Sequence, residues 1–148
     1  MFKQNLMSNL EESSRARFYR AIRQTHIYQP YLNIISVKSH RIALTRLITS
    51  SHHLKIETGR WTRPITPQTE RICPFCPGKQ EDEYHLLIEC SSYQEIRDRY
   101  IPNYFTRHPS MLKTIQLINT SSKKLIRGLG KFVFLAFKLR KEALRAIT

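Results

Sequence analysis

The chain has 148 residues, 41% of them hydrophobic and 24% charged, which suits one domain with a core of its own and hardly two. Its formal charge is +14, with the basic excess in residues 1–71 and 101–148 and a mildly acidic stretch, 72–100, between them. Such a surface attracts polyanions, of which nucleic acid is the commonest large one, and the longest apolar run, Phe132 to Phe137, is far short of the ~20 residues of a bilayer span.

Ser8-Asn9-Leu10-Glu11 fits a capping box. Leu10, Phe18, Ala21 and Ile22 then share one helical stripe, which predicts a basic helix over about 9–28 that ends at Pro30. A second helix is expected over about 37–50, with Val37, Leu44, Leu47 and Ile48 inward and Lys38, Arg41 and Arg46 outward. The stretch from His52 to Arg71, with Gly59, Pro64 and Pro67, reads as loop or short extended pieces. So long a loop needs anchors, and Ile56, Trp61 and Ile65 are the candidates.

After the cysteine segment the helical pattern resumes. Ser92-Tyr93-Gln94-Glu95 fits another capping box, with Tyr93, Ile96 and Tyr100 on one face and Pro102 as the stop. Pro109 suits the first turn of the next helix, whose buried stripe is Met111, Ile115 and Ile118. The last and longest helix is expected from about Ser122 to Ala146. Leu125, Leu129, Phe132, Val133 and Ala136 form its apolar stripe, opposite a basic face of Arg127, Lys131, Lys138, Lys141 and Arg145. Gly128 and Gly130 are each ~1 kcal/mol worse than Ala in a helix, so irregular first turns are expected.

The chain holds three cysteines, all between residues 73 and 90. An odd number cannot pair fully, and the start, Met1-Phe2-Lys3-Gln4-Asn5, lacks the apolar stretch of a secretion signal. Both points favour metal over disulfides and a cytoplasmic or nuclear location. Cys73-Pro74-Phe75-Cys76 lets one tight turn present two sulfurs. His85 and Cys90 follow after eight and four intervening residues and complete a Cys₃His set, a standard structural zinc arrangement. Glu81-Asp82-Glu83 suits the positive end of a helix carrying Tyr84, Leu87 and Ile88. In a continuous α-helix Cys90 would lie about 140° from His85, so the helix should end near Glu89 with Cys90 just beyond it.

Four protein ligands leave no open position for a catalytic water, so the metal is expected to be structural and the chain not an enzyme. The zinc-deaminase pattern is absent, because His85 follows the cysteine pair and Leu87 stands two residues after it. No Gly-rich phosphate loop occurs. His52-His53 has no acidic or His partner at a telling distance in sequence.

The segments Leu44 to His52, Arg71-Ile72-Cys73-Pro74-Phe75-Cys76 and Glu83-Tyr84-His85-Leu86-Leu87-Ile88-Glu89-Cys90 together resemble the zinc-binding C-terminal region of non-LTR retrotransposon reverse transcriptases. The resemblance spans roughly residues 37–100. Ile48 departs from the family's usual Arg and Ser50-Ser51 from its Gly, and the polymerase's Tyr-x-Asp-Asp is absent. The resemblance implies a tail without its polymerase, with Cys73, Cys76, His85 and Cys90 as ligands, that helps to hold RNA or DNA.

The expected fold is mainly α, a small helical domain organised around a Cys₃His zinc site with a short β-like turn at the Cys-x-x-Cys. Its parts are a basic N-terminal helix over 1–36, a helix and zinc core over 37–100, and basic amphipathic helices over 101–148. The expected function is nucleic-acid binding, by Arg41, Arg46, Arg60 and Arg63 on one arm and Lys123, Lys124, Arg127, Lys131 and Lys138 on the other. Core packing is the expected role of Trp61 and Tyr84, and stacking on a base a lesser one. The alternatives are a scaffold whose basic faces meet an acidic protein or a reverse transcriptase, and an element-derived fragment without function. Neither a membrane nor a small-molecule substrate is expected.

Overall fold

A computed structural model describes residues 30–147. The predicted N-terminal helix, its Ser8 capping box and the stripe from Leu10 to Ile22 lie outside the described residues. Pro30 opens a short helix, α1 (Pro30–Ile34), as its fixed φ and missing N–H allow at a first helical turn. Then come α2 (Lys38–Ile48), α3 (Lys55–Thr58), the metal segment, α4 (Gln94–Tyr100), α5 (Asn103–Arg107), α6 (Met111–Ile118) and α7 (Lys123–Ile147). The described part is mainly helical, with one isolated antiparallel bridge, Ile72 to Gln80. No described helix is long and apolar enough to cross a membrane.

The spine of the fold is α7. One side of it buries Ile126, Leu129, Phe132, Val133 and Ala136, and α2 packs on this stripe with Ala43, Leu44, Leu47 and Ile48. Each of these side chains larger than alanine contributes roughly 1.5–3 kcal/mol when fully buried. Val37 does not join them: it precedes the first turn of α2 and is about half exposed. The two glycines do not disturb α7, which runs unbroken from Lys123. They let neighbours come close: a Cβ on Gly130 would lie 2.7 Å from Ile35 Cδ1, and one on Gly128 3.1 Å from the Tyr100 carbonyl oxygen.

The long loop is anchored differently from the expectation. Ile56 is buried, but Trp61 and Ile65 are 66% and 58% exposed. The anchor is polar instead. Arg71 crosses Gly59, donating from Nε to the Thr66 carbonyl (3.0 Å) and from Nη1 to that of Ile56 (2.9 Å).

The Ser92 capping box does not form. Ser91–Tyr93 make a 3₁₀ turn in which Tyr93 N–H reaches the Cys90 carbonyl, so α4 starts after Tyr93 without a side-chain cap. In α6 the cap is Ser110, which accepts from Lys113 N–H at 3.1 Å. Thr114 and Leu117 are its buried residues, while Met111, Ile115 and Ile118 pack half-buried against the core.

Candidate metal centre and basic surface

The bridge of Ile72 with Gln80 closes a knuckle around the first two cysteines. Cys73 N–H donates to the Lys79 carbonyl (2.8 Å), and Lys79 N–H to that of Cys76 (3.2 Å). Gly78 makes the reversal at φ 76°, in the left-handed region where a side chain is strained. The backbone N–H of Phe75 donates to the Cys73 sulfur, and that of Ser92 to the Cys90 sulfur.

The second pair is brought together by a widened helix. Asp82 Oδ1 accepts from His85 N–H at 2.8 Å and caps the start of the turn. From His85 to Glu89 the backbone is π-helical, and Cys90 N–H donates to the His85 carbonyl at 2.8 Å. This bond spans five residues, not four, so the larger turn brings Cys90 round to the side of His85. At this ligand spacing the π-turn is what sets His85 and Cys90 side by side. The helix ends at Glu89 with Cys90 extended just beyond it, as the spacing predicts.

Ligand atoms of Cys73, Cys76, His85 and Cys90 all lie within 4.8 Å of one another, so the four can hold a metal ion. The Cys90 sulfur is 3.9 Å from that of Cys73 and 3.7 Å from that of Cys76. His85 Nδ1 lies 3.4 Å from Glu89 Oε1, while its Nε2 is buried with no hydrogen-bond partner. A hydrogen bond from Cys73 pushes the Cys90 thiol down to about 3, and the same bond pushes the Cys73 thiol far up. Burial disfavours a charged His85, but the neighbouring Cys90, Cys76 and Glu89 together outweigh it and raise its pKa. Protons or a cation must mediate between donors packed this closely.

The acidic triplet does more than complement a helix dipole. Glu81, Asp82 and Glu83 are all buried. Glu81 takes a two-pronged bond from Arg140 of α7, 2.8 Å from Nε and 2.9 Å from Nη2, and also accepts from Lys55 N–H at 2.8 Å. Glu83 Oε1 lies 2.6 Å from Nε2 of the buried His52. Since His52 Nδ1 accepts from Leu54 N–H, Nε2 carries the proton and donates to Glu83. His52 thus has an acidic partner after all, 31 residues away, and the pair ties α2's C-terminal loop to the metal segment.

Arg97, fully buried, completes the support. Leu86 and Leu87 lie at the end of a helix, where carbonyls lack intrahelical partners. Arg97 Nη2 and Nε donate to them at 2.9 and 2.8 Å, and Nη1 donates to Gln94 Oε1 at 3.0 Å. Sequence reasoning passed over Glu89, Arg97 and Arg140. For Arg140 a signal existed: it falls within the apolar stripe of α7, in register with Leu129, Val133 and Ala136.

Of the predicted basic contacts, Lys123, Lys124, Arg127, Lys131 and Lys138 are exposed along α7. Lys131 sits over the Tyr100 ring, 5.3 Å from its centre. Arg46 and Arg63 are exposed, and Arg60 reaches Glu57 at 3.4 Å. Arg41 is set apart: half-buried, it donates to the Ile35 carbonyl at 3.0 Å and braces the turn between α1 and α2. Arg46 of α2 and Lys141 and Arg145 of α7 line one groove of about 520 Å³, together with Leu54, Phe137 and Leu144. No family model, curated protein or solved structure matches the chain.

Proposed function

We propose that the chain is a zinc-stabilised nucleic-acid-binding module, akin to the tail of a retrotransposon reverse transcriptase without its polymerase. The observation that carries the binding role is the segregation of charge. Glu57 and the whole acidic triplet are buried, so among the described acids only Glu70, Glu89, Glu95, Asp98 and Glu142 remain outside. Against them, Arg127, Lys138 and Lys141 line the exposed face of α7 without a carboxylate partner among the described residues. Net charge alone underestimates such a surface, and its field favours phosphate contact.

Zinc is favoured by the donor set and its spacing. Zinc–sulfur bonds of about 2.3 Å in a tetrahedron put the sulfurs ~3.8 Å apart. The two sulfur distances, 3.9 and 3.7 Å, match that edge. His85 Nε2 is the fourth donor, and Glu89 at Nδ1 orients the ring. Four protein ligands leave no place for a reacting water, so the centre's work is structural: it joins the knuckle to the π-turn and holds the acidic triplet where Arg140 and His52 meet it.

The test is a salt titration of binding to labelled RNA and DNA, with metal content measured on the same protein. Near one equivalent of zinc is expected, and the logarithm of affinity should fall linearly with that of salt. Binding indifferent to salt, or capture of an acidic protein by a chain that ignores both nucleic acids, would overturn the binding role. Less than half an equivalent of zinc would overturn the metal assignment.

A further inference from the structure

The segment from Gly59 to Arg71 holds a large aromatic ring in solvent on a tightly bonded frame. Trp61 is 66% exposed, with no ring or cation partner among the described residues, and Ile65 beside it is 58% exposed. Exposing these groups is unfavourable, and a floppy loop would fold them down. The frame prevents this. Trp61 N–H donates to the Thr58 carbonyl (3.0 Å) and Thr66 N–H to that of Gly59 (3.0 Å). Thr66 N–H also lies 2.8 Å from Thr62 Oγ1, and the two threonine hydroxyls are 2.7 Å apart. Arg71 then crosses beneath Gly59 as a strut, where a Cβ would lie 2.6 Å from Arg71 Cγ. Arg71 stands two residues before Cys73, and its carbonyl accepts from Glu81 N–H at 2.9 Å. The same ladder that closes the metal knuckle therefore sets the loop.

Arg60 and Arg63 flank the ring in sequence, both exposed, and Arg63 has no carboxylate partner among the described residues. An aromatic face with cations on either side is what an unpaired nucleotide requires: the base stacks on the ring and the phosphates meet the guanidinium groups. A base within a duplex already has a stacked neighbour on each face, so a ring reaches it only at the cost of unstacking that step, roughly a few kcal/mol.

From this, and resting on the nucleic-acid reading above, we infer that Trp61 is a stacking platform for an unpaired base, which directs the module to single strands or strand junctions. Because Trp61 is the sole tryptophan of the chain, its emission reports the contact directly. The zinc-loaded full chain would be titrated with a labelled oligothymidylate and with a duplex of equal length. Strand binding is read by polarisation and the contact by tryptophan fluorescence. The single strand should quench Trp61 to saturation and the duplex should not. Trp61→Ala should weaken single-strand binding by roughly tenfold and leave duplex binding unchanged, with Trp61→Phe recovering most of the loss. Helical circular dichroism of both variants should match the parent, since the ring is mostly exposed and outside the described core.

Salt-dependent strand binding without quenching, or equal losses on both nucleic acids, overturns the platform and leaves the broader reading intact. A Trp61 response to anionic lipid vesicles in place of strands also overturns it, in favour of a membrane surface. Failure to bind either nucleic acid overturns both readings.

Discussion

Removing the Arg140 side chain is expected to be among the most damaging single changes available. Arg140→Ala deletes both donors to Glu81, at 2.8 and 2.9 Å, and leaves that carboxylate, whose side chain is only 2% exposed, with one remaining bond from Lys55 N–H. Breaking a buried ion pair from one side typically costs about 3–5 kcal/mol, because the survivor is a charge without water or partner. For a chain of this length that corresponds to a fall in Tm of roughly 10–20 °C. Thermal and urea unfolding of the zinc-loaded protein, followed by circular dichroism, would measure it. The double variant Glu81→Gln, Arg140→Met removes both charges together and should recover a large part of the loss. A loss below ~1 kcal/mol for Arg140→Ala, or a double variant showing the full sum of the two single losses, would refute the claim that the pair is a coupled buried unit.

Arg97→Leu should also destabilise the chain, by about 3 kcal/mol in urea unfolding, because the buried carbonyls of Leu86 and Leu87 lose their donors. The zinc content of the folded fraction should remain near one equivalent, since no ligand is touched. Glu89→Gln should act on the metal and not on the fold. Its carboxylate lies 3.4 Å from His85 Nδ1 and is partly exposed, so competition with a chelator should show zinc held about tenfold less tightly, at the low end for such partners.

What could be read from the residues in advance was local. The four metal donors stood out because three cysteines and one histidine at those separations have few other uses, and they do come within 4.8 Å of one another. Helical periodicity located α2 and α7 to within a few residues, since each carries a continuous apolar stripe. Even the end of the helix near Glu89 followed from spacing alone, although the spacing did not say that a π-turn would deliver Cys90.

Tertiary structure decided the fate of the charged and aromatic groups. Nothing in the local sequence of Glu81 or Glu83 says that they are buried, because their partners Arg140 and His52 come from distant parts of the chain. A carboxylate enters a core only when a specific donor meets it there, and that meeting is a property of the assembled fold. The same holds for Trp61, which apolar character alone assigns to the interior. It stands outside because Arg71 and the two threonines satisfy the loop's backbone without it. Periodicity and ligand spacing are short-range quantities, while burial of a charge and exposure of a ring depend on which distant groups arrive beside them.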